Sequence, residues 1–99
     1  YDEKENKERE SWYKNGKYHR DNDHPAWIQY HENGIPKRKQ WYRNGILSRD
    51  NNLPQDVWYY NNGSLNREMW WSNNDIQKRI FYNEDGHGYI SENGTQTHF

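Results

Sequence analysis

The chain has no cysteine, which excludes disulfides and every zinc site built on thiolates. Leu, Ile and Val are scarce, and the mean hydropathy is -1.74. The apolar fraction is 29%, well under the roughly 45–50% of an ordinary globular domain, so a thick two-layer core has too little material. No apolar run approaches the ~20 residues of a transmembrane helix, and no signal peptide is visible. Neither sign of charge dominates: 14 basic and 15 acidic side chains give a net charge of -1. Sequence alone therefore offers no electrostatic case for a specific nucleic-acid partner, which calls for a basic excess. There is no Gly-rich phosphate loop, no H-E-x-x-H and no G-x-S-x-G. The expectation is a protein that is not an enzyme and carries no cofactor. Nothing in the residues fixes a compartment.

What is abundant is aromatic. Six Trp, nine Tyr and two Phe make up 17% of the 99 residues, whereas disordered segments are poor in aromatics. A thin sheet whose rings cover one another suits this composition.

The aromatics recur in a fixed frame. Trp12-Tyr13-Lys14-Asn15-Gly16 returns as Trp41-Tyr42-Arg43-Asn44-Gly45 and, altered, as Trp70-Trp71-Ser72-Asn73-Asn74, 29 residues apart each time. Residues 12–40 and 41–69 share 12 of 29 positions without a gap, among them Arg20/Arg49, Pro25/Pro54, Tyr30/Tyr59 and Arg38/Arg67. A period of this length signals stacked units in an array. The 99 residues divide into a partial unit 1–11, units 12–40 and 41–69, and a shortened unit 70–99. Tyr1–Ser11 reads as the second half of a unit whose first half lies upstream.

Each unit holds two Asn-Gly pairs: Asn15-Gly16 with Asn33-Gly34, and Asn44-Gly45 with Asn62-Gly63. Asn-Gly tolerates the positive φ of type I′ hairpin turns. Two-residue loops would set Tyr13 against Tyr18, Trp12 against His19, Tyr42 against Leu47, Trp41 against Ser48, Trp71 against Ile76 and Trp70 against Gln77. Side chains alternate along a strand. The Tyr13/Tyr18, Tyr42/Leu47 and Trp71/Ile76 pairs are thus expected on the better buried face, and Trp12, Trp41 and Trp70 in a shallower ladder on the other. Between the turns, 19–26 and 48–55 carry Asp/Asn clusters followed by Pro, which is loop chemistry. In the third unit this stretch is deleted. The pattern predicts strands over 8–14, 17–20, 26–32, 35–43, 46–49, 55–61, 64–72, 75–82 and 87–91, with an edge at 94–99. The expected fold is all-β: a single-layer antiparallel meander of repeated hairpins.

On Trp12-Tyr13-Lys14-Asn15-Gly16-Lys17-Tyr18-His19-Arg20, continuing to Pro25-Ala26, the chain resembles the MORN-repeat-variant family. The resemblance extends over residues 1–94. His24 and Leu53 replace a usual Gly, Asn74 replaces a turn Gly, and Ser48 and Gln55 break the His-Arg and Pro-Ala signatures. The resemblance implies an antiparallel meander without its own active site, serving protein–protein contact or scaffolding. Some variant members are described as antitoxins, which implies a partner toxin as an alternative. Val57-Trp58-Tyr59-Tyr60-Asn61-Asn62-Gly63-Ser64-Leu65 also resembles the choline- and glucan-binding repeats of bacterial surface proteins, which implies a carbohydrate or choline ligand.

Candidate binding residues follow. Trp12, Trp41 and Trp70, with Trp58, could stack sugar rings or cage a quaternary ammonium; packing is the competing use. Arg9, Arg38 and Arg67, with Lys37, Lys39 and Lys78, could form a basic row, against which Glu8, Glu10 and Glu68 stand as cross-strand ion-pair partners. His19, His24 and His31 fall in one unit, but Ser48, Leu53 and Tyr60 replace them in the next, so no metal site is expected. Asp21-Asn22-Asp23 lacks the bidentate Glu of a calcium loop and reads as a turn.

Overall fold

A computed structural model describes residues 8–72, 75–92 and 95–98. The described residues form twelve strands and no helix: β1 (Arg9–Ser11), β2 (Tyr13–Lys14), β3 (Lys17–Tyr18), β4 (Trp27–Tyr30), β5 (Pro36–Gln40), β6 (Tyr42–Arg43), β7 (Ile46–Leu47), β8 (Asp56–Tyr59), β9 (Leu65–Ser72), β10 (Asp75–Tyr82), β11 (Gly88–Glu92) and β12 (Thr95–His98). All pairings are antiparallel. Eight strands make one sheet in the order β1-β4-β5-β8-β9-β10-β11-β12, while β2-β3 and β6-β7 are separate two-stranded ribbons. The first seven residues and Asn73-Asn74, where a turn is expected, lie outside the described residues, as do Asn93, Gly94 and Phe99.

The ribbons correct the expectation of unbroken strands over 8–14 and 35–43. Each breaks at its tryptophan, Trp12 or Trp41, and the hairpin beyond leaves the main sheet. The loops 19–26 and 48–55 are the physical reason. Each turns on two residues of positive φ, Asn22 and Asp23 or Asn51 and Asn52, and brings the chain back to pair with the strand it left. Trp12 N–H bonds Ala26 O at 2.8 Å, and Trp41 N–H bonds Gln55 O at 2.9 Å. Where the loop is deleted, β9 and β10 run eight residues each and stay in the sheet.

The Asn-Gly pairs make two kinds of turn. Asn15 and Gly16 (φ 54 and 76) and Asn44 and Gly45 (φ 52 and 81) both have positive φ, as a type I′ turn requires. Tyr13 faces Tyr18 and Tyr42 faces Leu47, as expected. At Asn33-Gly34 and Asn62-Gly63 only the glycines are positive, at 85 and 90. These are three-residue loops. Gly34 N–H bonds His31 O at 2.9 Å, His31 N–H bonds Ile35 O at 2.8 Å, and Asn33 Oδ1 accepts from Ile35 N at 3.1 Å. Tyr60–Ser64 repeats this geometry. The asparagine serves here through its side chain, not through a left-handed backbone. Asn83–His87 follows with Asp85 as the acceptor from His87 N–H.

Alternation gives the large sheet two unlike faces. The glutamate face carries Glu10, Ile28, Lys39, Val57, Glu68, Ile80 and Ile90 in register. The buried hydrophobic residues, Ala26, Ile28, Trp41 and Val57, belong to this side. Lys39 stands between Ile28 and Val57, where its methylene stem covers both. Three tyrosines close over the same side. Tyr30 donates to Glu10 at 2.5 Å and Tyr82 to Glu68 at 2.6 Å, while Lys39 Nζ lies 5.2 Å from the Tyr59 ring.

Candidate interaction face

The opposite, arginine face holds a row that crosses every strand of the large sheet: Arg9, Gln29, Arg38, Trp58, Arg67, Phe81, Tyr89 and His98 are successive cross-strand partners. Cations and rings interleave along it. The Arg38 guanidinium lies 4.3 Å from the Trp58 ring centroid and 5.8 Å from Trp27. Arg67 lies 5.1 Å from Trp58 and 5.4 Å from Phe81. Phe81 stacks on Tyr89 at 4.8 Å, and Tyr89 meets His98 at 5.4 Å. Each such cation–ring contact contributes about 0.5–2 kcal/mol, which gives the row a rigidity that an aliphatic core would otherwise supply.

The sequence places Glu10 and Glu68 next to Arg9 and Arg67, and cross-strand ion pairs are the expectation. The structure makes such pairs with other carboxylates: Arg38 with Asp56 across β5 and β8, and Lys78 with Glu92 across β10 and β11. Neighbours in a strand point to opposite faces, and Glu10 and Glu68 accept from Tyr30 and Tyr82. Among the described strand residues, the arginine face carries Arg9, Arg38, Arg67 and Arg79 against one carboxylate, Asp56. A chain of net charge -1 thus presents a cationic side.

Asp56 has no solvent exposure. Arg38 meets it twice, Nε to Oδ1 at 3.0 Å and NH2 to Oδ2 at 2.7 Å, with Gln40 Nε2 at 3.4 Å. Tyr42 reaches over from β6 and donates to Gln40 Oε1 at 3.3 Å. Burial, and then the Asp56 charge, raise the Tyr42 phenol. The Arg38 charge is therefore neutralised in place. Arg67 donates its Nε to Asn66 Oδ1 at 3.0 Å and has no ion pair with a described residue.

Beside Arg67 opens a cleft of about 370 Å³, lined by His31, Lys37, Trp58, Asn66, Arg67 and Glu84 among others. Two bulges build it. Gln29 pairs with Arg38 but Tyr30 with Pro36, leaving Lys37 as the extra residue of β5. Trp58 pairs with Arg67 but Tyr59 with Leu65, leaving Asn66 as the extra residue of β9. A bulge re-aims its side chain, and both extra residues line the cleft. The Trp58 indole nitrogen is buried without a hydrogen-bond partner.

The other predicted residues, Trp12, Trp41 and Trp70, lie on the glutamate side and are covered from within the chain. Each has a cation eight residues on: Arg20 at 3.8 Å from the Trp12 ring, Arg49 at 3.7 Å from Trp41, Lys78 at 5.0 Å from Trp70. Trp41 donates its indole N–H to Asp23 O at 3.0 Å, and Trp70 to Asn52 O at 2.7 Å. Arg49 also binds Asp23 (2.8 and 3.3 Å) and Pro54 O at 2.9 Å, so it fastens one unit to the loop of the unit before. It holds the Asp23 carboxyl below the usual carboxylate range. The expected faces are reversed at two residues: Trp41 is 7% exposed and Tyr13 is 61% exposed, because the loops fold over the tryptophans and leave Tyr13 outside, while Tyr18 and Tyr42 are half-buried. The expected Trp70–Gln77 pair is also replaced. A bulge skips Gln77 and sets Lys78 opposite Trp70, which returns the cation to the ring.

The three histidines of the first unit go to separate partners. His19 Nδ1 accepts from Asn44 N–H at 3.1 Å, so its Nε2 donates to Asp21 at 2.8 Å. His31 donates Nε2 to Tyr59 O at 2.9 Å, and His24 is exposed. His19 lowers the Asp21 carboxyl through that hydrogen bond.

No protein family, curated protein or solved structure matches the chain. The structure brings Arg38, Trp58 and Arg67 together in one row and separates them from Trp12, Trp41 and Trp70. Sequence reasoning missed Phe81, which precedes Tyr82 as Trp58 precedes Tyr59 once the deleted loop is allowed for, Tyr89, which stands at no repeated aromatic position, and Asn66. The signal for Lys37 and Asn66 was their 29-residue spacing beside two of the repeated arginines.

Proposed function

We propose that the chain is a non-enzymatic repeat module of the MORN-variant type, a single-layer antiparallel meander of 29-residue units used for protein–protein contact. The observation that carries this reading is the ordered cation–aromatic row on the arginine face. Aromatic residues and arginine are the groups most enriched at protein interfaces, and here their rotamers are held by mutual stacking before any partner arrives, which lowers the ordering cost of association. The like contacts made by Trp41 and Trp70, 29 residues apart, support the repeat frame. Packing is the better reading for Trp12, Trp41 and Trp70. A sugar or quaternary ammonium that needed those ring faces would have to displace Arg20, Arg49 or Lys78.

The test is site-specific photo-crosslinking in the cells that express the protein. A benzophenone side chain at Phe81 or Tyr89 should capture discrete partner proteins. The same group at Leu53, exposed on the loop that folds over the glutamate side, should capture few. Equal capture at both places, or none at the row, sinks the reading.

A further inference from the structure

The sequence offers no reason to expect an anionic partner, because its charges nearly cancel. The folded chain separates them. Arg9, Arg67 and Arg79 on the arginine face make no ion pair with a described residue, and the one carboxylate of that face's strands, Asp56, is buried and satisfied by Arg38. The cleft concentrates this imbalance. Lys37 is turned toward it by the bulge in β5, Asn66 by the bulge in β9, and Arg67 stands between the Trp58 and Phe81 rings with its Nε held by Asn66. That leaves the outer edge of the guanidinium to bind a second group in the forked geometry a carboxylate fits. Lys37 has no ion pair with a described residue. Glu84, on the exposed Asn83–His87 turn, is the one opposing charge among the described residues that line the cleft.

We infer that the cleft formed by Lys37, Trp58, Asn66 and Arg67 receives an acidic side chain, aspartate or glutamate, of a partner polypeptide laid along the arginine face. The carboxylate meets Arg67 and Lys37, and the carbon stem that bears it rests against the Trp58 edge. Single-stranded nucleic acid is the rival for any cationic face with aromatics, but it gains its affinity by stacking bases on open rings. Here Trp58 has Arg38 on one side and Arg67 on the other, and Phe81 lies between Arg67 and Tyr89. At the cleft itself the Arg67 guanidinium and the Lys37 ammonium are left for an anion, which suits a carboxylate without a base attached. The inference rests on the reading of this face as a protein-interaction surface and names the chemistry of the partner.

The experiment is a titration of the isotope-labelled chain with a short peptide alternating glutamate and serine, and with its glutamine counterpart, followed by nuclear magnetic resonance. The glutamate peptide should move the Trp58 indole N–H and Arg67 Nε–H signals and leave the Trp70 indole, on the opposite face, in place. Lys37→Glu should weaken binding by roughly tenfold, while Lys14→Glu, the same charge change at an exposed ribbon residue, should leave it nearly unaltered. Arg67→Lys keeps the charge but loses the fork, and should bind more weakly than wild type with an unchanged fold. Equal effects of the two peptides, or of the two lysine variants, overturn the inference. So does a thymidine oligomer that moves the same signals at a lower concentration. Silence toward the peptide with crosslinks retained at Phe81 overturns the acidic partner alone; loss of the crosslinks overturns the wider reading.

Discussion

Arg38 and Asp56 stand diagonally across β5 and β8 and join through two hydrogen bonds, 3.0 and 2.7 Å, with Asp56 fully buried and the Arg38 side chain 27% exposed. A buried carboxylate left without its cation is costly, so the pair fixes how the arginine face is built. Arg38→Ala should lower stability by about 3 kcal/mol in urea denaturation, the lower end of the cost of orphaning one partner. Replacing both residues by Met and Leu should cost markedly less. A double variant no more stable than Arg38→Ala would show that the pair is not the source of the loss.

Trp41 and Trp58 should separate packing from contact. Trp41 is among the few buried hydrophobic side chains, stacked under Arg49 and tied to Asp23. Trp41→Ala should cost about 3–5 kcal/mol in calorimetry or urea unfolding. Tyr13→Ala, at 61% exposure, should stay within about 0.5 kcal/mol of wild type. If Tyr13→Ala proves the worse of the two, the assignment of the buried side is wrong.

Two glycines should respond differently to the same substitution. Gly34 has φ 85, so Gly34→Ala should cost about 1–2 kcal/mol through backbone strain. A Cβ at Gly88 would overlap the Phe81 carbonyl of the neighbouring strand. Backbone atoms yield less readily than a torsion, so Gly88→Ala should lower the melting temperature further than Gly34→Ala. The reverse order in thermal scans would contradict the β10–β11 register.

Alkaline pH should loosen the glutamate face. Burial first, then the hydrogen bond to Glu68, push the Tyr82 phenol up to about 12 from an ordinary 10.0. Its contribution is complete below pH 10 and is lost as pH rises from about 10 to about 12. Tyr82→Phe should flatten the stability profile in that window. At the acid end the sign reverses. The Asp23 and Asp50 carboxyls are lowered by Arg49 and Arg43, so their contribution is present above the ordinary carboxylate pKa of 3.8 and fades as pH falls through the depressed values. Asp23→Asn should remove part of the acid slope of the melting temperature. A slope identical to wild type would separate Asp23 from acid unfolding.

Much of the strand plan was legible because it rests on local chemistry. Asn15-Gly16 and Asn44-Gly45 can adopt positive φ in succession, and alternating aromatics on either side of them pair as counted. The second pair of turns was legible as turns but not in kind. Whether Asn33 supplies its backbone or its side chain depends on the length of the loop, three residues against two, which the pairing of β4 with β5 sets. Trp41 read as a residue of the shallower ladder because nothing local says that the 19–26 loop will fold back and take its indole hydrogen bond at Asp23.

The sequence by itself determined that the chain is antiparallel β, where it turns, and that loops interrupt the hairpins at 19–26 and 48–55, since each of these follows from residues within a few positions of one another. The tertiary structure decided which hairpins stay in the sheet, which tryptophan is buried, and how charge is shared between the faces. Glu10 and Arg9 adjoin in the chain, yet strand alternation sends one to Tyr30 and leaves the other on the open arginine face. Contacts of that kind join residues about 20 positions apart, and no local pattern encodes them.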